Sequence, residues 1–256
     1  MMLNLYFSIF VFLFGTIIGS FITAFVPRFH NKKNWWSDRS ECPNCHHKLG
    51  PLDLIPVFSY LFLRGKCRYC RTPYSSKYLL LELLSGACFL FLWLGGYSHL
   101  GNDDYLKSLP FLALALIFLL ILSWYDYLYG EVIDQIAIPM VVILLIVNWQ
   151  HPTTLILTAI IFLVFVLIVM FTNGMGGGDI RIAIVAALLT GWPNFTVAFE
   201  FAVVSALVCG VTTALIKHKD IKKIRKTAVP LIPFFTFGIL MAWVFGDMIV
   251  QEFLKI

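Results

Sequence analysis

The chain is 256 residues long, 60% apolar and only 13% charged, with 24 phenylalanines and a net charge of +5. Its mean hydropathy is +0.86. Soluble domains hold roughly 45–50% apolar residues, so these values exclude a water-soluble globule and point to an all-α polytopic membrane protein.

Eight apolar runs follow one another along the chain, over 5–27, 78–98, 106–125, 134–150, 153–173, 180–192, 196–216 and 229–250. Most approach the roughly 20 residues that a helix needs to cross a hydrocarbon core, so about eight transmembrane helices are expected. The run over 180–192 is short and reads as a tilted or half-buried helix. The first run is long, carries no positive charge ahead of it and is followed directly by Arg28, which is the pattern of a retained span and not of a cleavable signal. The chain then divides into a first transmembrane helix over 1–27, a soluble module over 28–77, and a seven-helix transmembrane domain over 78–256.

Basic residues orient the spans. With the N-terminus outside and eight crossings, the segments 28–77, 126–133, 174–181 and 217–226 face inward, and they hold 17 of the 19 Lys and Arg residues. Lys107 and Lys255 alone remain outside. That asymmetry satisfies the positive-inside rule, places both termini outside and makes 28–77 cytoplasmic. The run Lys217-His-Lys-Asp-Ile-Lys-Lys-Ile-Arg-Lys226 reads as an anchor to anionic membrane lipids, not as a nucleic-acid site.

The cytoplasmic segment carries Cys42-Pro-Asn-Cys45 and Cys67-Arg-Tyr-Cys70. Two such pairs bring four thiolates into tetrahedral reach of Zn²⁺, and four cysteines leave no open position for water, so the metal is structural. Disulfides or free thiols are the competing reading, and a cytosolic location disfavours disulfides. A segment of roughly 50 residues is too small to build much of a core, so a metal staple is expected. A small zinc-ribbon-like insertion results. His46 and His47 read as loop residues, and Cys88 and Cys209 as small packing residues.

Two carboxylates stand where apolar runs meet polar sequence. Asp126 closes the run 106–125, and Asp179 closes the turn Gly174-Met175-Gly176-Gly177-Gly178-Asp179. An acidic residue at such a boundary is a functional-site candidate, and two on one membrane face form a pair in which one carboxyl holds a proton while the other does not. The structural alternatives are an interfacial helix-end residue for Asp126 and a helix N-cap for Asp179. Asp134 and Arg181 read as positioning or pairing residues, and Glu82 as a cap, a module contact or a site residue. A proton- or metal-coupled transporter is the alternative function class, although it calls for ionisable residues near the bilayer midplane, where this chain has almost none.

These features resemble the type IV prepilin peptidase family, the leader peptidase/N-methyltransferases of bacterial inner membranes. Gly19-Ser20-Phe21 with Arg28 resembles that family's N-terminal signature. Residues 42–86 resemble its cytoplasmic zinc segment, including Leu54-Ile55-Pro56, Ser59, Arg64-Gly65, Tyr78 and Glu82. GMGGGD over 174–179 resembles its GxGD motif, and Pro230 and Pro233 match the start of its last helix. Thr23 stands where Asn is common, and Ile133-Asp134 where Pro-Asp is common. The resemblance implies a GxGD aspartic membrane protease with Asp126 and Asp179 catalytic. It implies prepilin or pseudopilin substrates whose basic leaders are cut at the cytoplasmic face, with Zn²⁺ on Cys42, Cys45, Cys67 and Cys70. It also implies methylation of the new N-terminus with S-adenosylmethionine; no glycine-rich nucleotide motif follows a strand here to support that second activity from the residues alone.

Overall fold

The computed structural model describes residues 2–34, 39–98, 103–172, 176–217 and 230–254. Gly174 and Met175 of the glycine turn, and the basic run over 217–226 apart from the backbone of Lys217, lie outside them. Among the described residues every regular element is helical: α1 (Met2–His30), α2 (Phe58–Phe62), α3 (Ser76–Ser98), α4 (Asp103–Tyr129), α5 (Asp134–Val147), α6 (Pro152–Thr172), α7 (Gly177–Thr190), α8 (Asn194–Lys217) and α9 (Ile232–Leu254). Eight of these correspond to the eight apolar runs. Six are long and apolar enough to cross a membrane, namely Asn4–His30, Ser76–Gly95, Lys107–Tyr129, Pro152–Phe171, Asn194–Thr213 and Ile232–Glu252. The chain separates into two compact units, Met1–Ile121 and Leu122–Ile256.

In the first unit α1 packs along α3. Gly15 and Gly19, one helical repeat apart, make the approach possible. A Cβ on Gly15 would lie 2.8 Å from the Cα of Gly86, and one on Gly19 would overlap the hydroxyl of Ser85. Ser85 is fully buried and donates to the Gly15 carbonyl at 2.8 Å. In an apolar medium small residues of this kind let helix backbones approach, and an interhelical hydrogen bond adds to the packing.

Between α1 and α3 lie two similar knuckles. Glu41 pairs with Lys48, and Lys66 with Pro73, as isolated antiparallel bridges. In the first, Cys42 N–H donates to the His47 carbonyl at 3.0 Å; in the second, Cys67 N–H donates to the Thr72 carbonyl at 2.9 Å. His46 and Arg71, each four residues after the first cysteine of its pair, turn the chain at φ 54° and 58°. The two hairpins thus share one backbone design. They are joined by a 3₁₀ turn at Pro51–Asp53 and by the single-turn α2.

In the second unit α7 is the centre. Ile182, Ala183, Val185, Ala186, Ala187 and Leu188 are all buried, and the helix contacts α5, α6, α8 and α9. A helix apolar on every face belongs inside a bundle. With 14 residues each, α5 and α7 are about 21 Å long, short of the roughly 30 Å hydrocarbon thickness. Their last carbonyls therefore need partners. The Asn148 side-chain amide donates to the Leu144 carbonyl at the end of α5, 2.9 Å away, and to the Leu188 carbonyl at the end of α7, 3.1 Å away. The Trp243 indole donates to the Leu189 carbonyl at 3.3 Å. The apolar run over 134–150 stops being helical at Val147 because Asn148 turns back to cap it.

Candidate active site and metal centre

Asp126 lies in the last turn of α4 and is buried. Gly130, at φ 68°, ends that helix and donates its N–H to the Asp126 carbonyl at 2.8 Å, a left-handed stop that glycine adopts without steric strain. The Asp126 side chain reaches the start of α9, where its Oδ2 accepts the Ile232 N–H at 3.0 Å. Unpaired amides at a helix start are a natural partner for an anion. One turn earlier along α4 and one turn later along α9, Ser123 and Thr236 share a buried 2.7 Å hydrogen bond between their hydroxyls. Together these two contacts fix where the Asp126 carboxyl sits.

Asp179 is the third residue of α7 and half-buried. Its Oδ2 accepts the Gly176 N–H at 3.3 Å, and its own N–H donates to the Gly176 carbonyl at 3.1 Å. The N-cap is therefore Gly176 and not Asp179, whose carboxylate reaches back to the cap's N–H from the third helical position and uses one oxygen to do so. Among the described residues no hydrogen-bond partner holds the Oδ1 of either aspartate.

The start of α7 is pressed onto the α4–α5 connection. A Cβ on Gly178 would overlap the Val132 side chain, so the glycine gives the space that brings the two segments together. Arg181 and Asp134 close the same junction with a 2.5 Å ion pair. Asp126, in the last turn of α4, and Asp179, in the first turn of α7, thus both stand beside the α4–α5 connection.

The four cysteines of the knuckles also converge. Their sulfurs all lie within 4.8 Å of one another, and Cys42 and Cys70 are 3.7 Å apart. Sulfurs about 2.3 Å from a tetrahedral Zn²⁺ would be roughly 3.8 Å apart, so the donor set fits such an ion. Cys42 and Cys67 are buried while Cys45 is exposed. Hydrogen bonding to the Thr72 hydroxyl and amide draws the Cys70 thiol down to about 5, and the Cys70 amide lowers that of Cys67. A backbone hydrogen bond at His47 lowers Cys45, but desolvation and the neighbouring Cys70, Cys42 and Cys67 sulfurs carry it up to about 11. Asn44 braces the two knuckles by donating to Thr72 Oγ1 at 2.9 Å, and the His47 ring lies against Tyr69 with centroids 3.6 Å apart. Both histidines stay outside the sulfur cluster.

Two family models match parts of this chain. A family model described as the bacterial peptidase A24 N-terminal domain matches residues 13–95, which include all four cysteines. A second, described as the type IV leader peptidase family, matches residues 113–214, which include both aspartates. The chain belongs to the type IV leader peptidase family. Membership makes it a peptidase, a hydrolase of the inner membrane. The chain is similar to a prepilin leader peptidase/N-methyltransferase of Bacillus subtilis, with 27% identity over 251 residues that cover 96% of this chain and 97% of the other. It is similar to another of that name from Burkholderia pseudomallei, with 28% identity over 265 residues and coverages of 90% and 82%. With one from Myxococcus xanthus it shares 40% identity over 83 residues, covering 32% and 25%. No solved structure matches.

Within this leader peptidase chain, several polar contacts were not legible in the sequence. The Ile232 amide is invisible because any residue carries one. Ser123 and Thr236 are separated by more than a hundred residues of apolar sequence. Asp134 and Arg181 could each be singled out, and the structure makes them partners of one another. Glu82, whose role the sequence left open, accepts the Val57 N–H at 2.8 Å.

Proposed function

We propose that this peptidase is an intramembrane aspartic endopeptidase in which Asp126 and Asp179 act as one catalytic pair. The supporting observation is that each carboxyl uses a single oxygen to accept an N–H at a helix start, Ile232 of α9 or Gly176 before α7. In the hydrolysis, the ionised aspartate takes a proton from water as the water oxygen attacks the scissile carbonyl carbon. The protonated aspartate hydrogen-bonds the carbonyl oxygen and stabilises the charge that develops there. Collapse of the tetrahedral intermediate breaks the C–N bond, and the proton first taken from water passes to the leaving nitrogen. The pair titrates jointly, so the roles of acid and base belong to the couple and not to fixed residues.

The substrates are type IV prepilins or pseudopilins, in line with the names of the similar proteins. Such a substrate is an apolar helix with a short basic leader, and a membrane-embedded helix presents that junction at the level of a helix end, where both aspartates stand. The distribution of Lys and Arg supports a cytoplasmic location for this end and for the module over 28–77, with both termini outside. In this organisation 1–27 is an anchor, 28–77 a zinc-stapled module and 78–256 the peptidase domain. The four cysteines hold Zn²⁺, which supplies a structural crosslink between the knuckles. Methylation of the new N-terminus with S-adenosylmethionine follows cleavage, and membrane lipids are the protein's other constant partner.

The test is incubation of the purified protein with a full-length prepilin in lipid and S-adenosylmethionine, read by intact mass spectrometry. Loss of the leader and addition of one methyl group are expected. An uncleaved substrate would overturn the peptidase assignment to prepilins, and cleavage without methylation would overturn the second activity alone.

A further inference from the structure

The segment that joins the two zinc knuckles is built inside out. Leu52, Leu61 and Phe62 are exposed to 65%, 60% and 84%, and Leu54, Ile55 and Phe58 are exposed as well. Its acidic residue does the opposite. The Asp53 side chain is only 6% exposed, turned inward against Arg68 at 2.7 Å and onto the Gly50 N–H at 3.1 Å. A small module facing water would turn the carboxylate out and the leucines in. An apolar patch of this kind marks an interaction surface.

The position of the segment identifies what covers it. Val57 sits at φ 64° in a tight three-residue turn closed by the Phe58 N–H on the Pro56 carbonyl at 2.6 Å. The backbone region is one that a β-branched residue rarely occupies. The turn is pinned by the Val57 N–H to Glu82 Oε2 at 2.8 Å, and Glu82 is itself buried. Glu82 belongs to the apolar span Ser76–Gly95, six residues inside its start, or about 9 Å along the helix axis. The patch is therefore tied to the level of the span's first turns, where the neighbouring Leu80, Leu83 and Leu84 of α3 are also exposed as a lipid-facing surface. Interfacial helices bury their apolar face about 5–10 Å into the boundary between headgroups and acyl chains, and that depth agrees.

We propose that residues 52–62 form a membrane-inserted wedge, docked among the acyl chains of the leaflet next to the zinc module, with Glu82 as its anchor. The wedge holds the two knuckles flat against the bilayer. Arg64, Lys66, Arg68 and Arg71 follow it directly in sequence and lie within reach of lipid phosphates. This reading stands independently of the peptidase mechanism, because it needs only that α3 crosses the membrane.

The experiment uses the full-length protein reconstituted in phosphatidylglycerol and phosphatidylethanolamine vesicles that include a phospholipid with a diazirine in its acyl chain. After photolysis, adducts are located by peptide mass spectrometry. Adducts on Phe58, Leu61 or Phe62 at an intensity comparable to those on Leu83 and Leu84 are expected. Labelling of α3 with none on 52–62 would overturn the proposal and would mean that a protein segment, such as a substrate helix, or water covers the patch. A second sample carries Glu82→Gln, which keeps the side-chain shape but weakens the acceptor for Val57. Loss of labelling at 58–62 with labelling of Leu84 retained is expected; unchanged labelling at 58–62 would overturn the anchoring role of Glu82.

Discussion

At the residue scale, the start of α7 depends on two side-chain facts. The first is that position 178 has no Cβ. Gly178→Ala places a methyl group into Val132, which pushes α7 away from the α4–α5 connection. A misplacement of about 1 Å at a reacting group lowers rates by roughly 10²-fold, so peptidase activity should drop by that order while the protein still inserts in the membrane; unaltered kcat would contradict the role given to this contact. The second is the Asp134–Arg181 pair. Both partners are substantially exposed, and exposed pairs contribute only about 0–1 kcal/mol. Asp134→Ala should therefore leave thermal stability almost unchanged, and its effect should appear, if the pair positions α7, as a lowered kcat that the charge-swapped double variant Asp134→Arg/Arg181→Asp partly restores. The carboxylates and the cysteines were legible in the sequence because their chemistry is unusual in an apolar chain. The Ile232 amide and the Ser123–Thr236 pair were not, since backbone groups and isolated hydroxyls carry no distinguishing signal until the fold brings them together.

At the element scale, the apolar runs located eight helices, six of them long enough to cross a membrane, because in lipid a helix must satisfy its own backbone. They did not give the helix ends. Those of α5 and α7 are set by Asn148, which serves both helices, and no local pattern announces a side chain that caps a second helix forty residues away. Asn148→Leu should take this donor from the Leu188 carbonyl, while the Leu144 carbonyl keeps the backbone N–H of residue 148 at 3.0 Å. An orphaned buried acceptor costs about 1–3 kcal/mol, so a fall in the thermal unfolding midpoint in detergent is expected; a midpoint equal to wild type would contradict the capping account. Likewise Gly19→Leu should separate α1 from α3, because its side chain has no room beside Ser85 and Glu82, and protease sensitivity in the 28–77 segment is the readout.

At the scale of the whole molecule, one protein combines a module in which four cysteine sulfurs converge with a bundle that carries Asp126 and Asp179 at helix ends. The spacing of the two cysteine pairs made the first legible, since four thiols at knuckle spacing have few other uses. The internal similarity of the two knuckles came only from the coordinates. If the metal is structural, removing it with a strong chelator should unfold 28–77 and leave the secondary structure of the spans nearly intact. Metal analysis should give one zinc per chain, and Cys42→Ser should reduce that ratio sharply; full zinc retention in that variant would contradict the ligand set.

The account rests on Asp126 and Asp179 acting as a unit, and the most direct measurement is the single-turnover rate of leader removal by wild type, Asp126→Asn, Asp179→Asn and the double variant in the same membranes. Acid–base groups contribute about 10²–10⁴-fold, so each single variant should fall at least that far, and residues acting together are strongly non-additive, so the double variant should be no slower than the slower single one. A single variant that cleaves at the wild-type rate, or losses that multiply in the double variant, would contradict a shared catalytic pair.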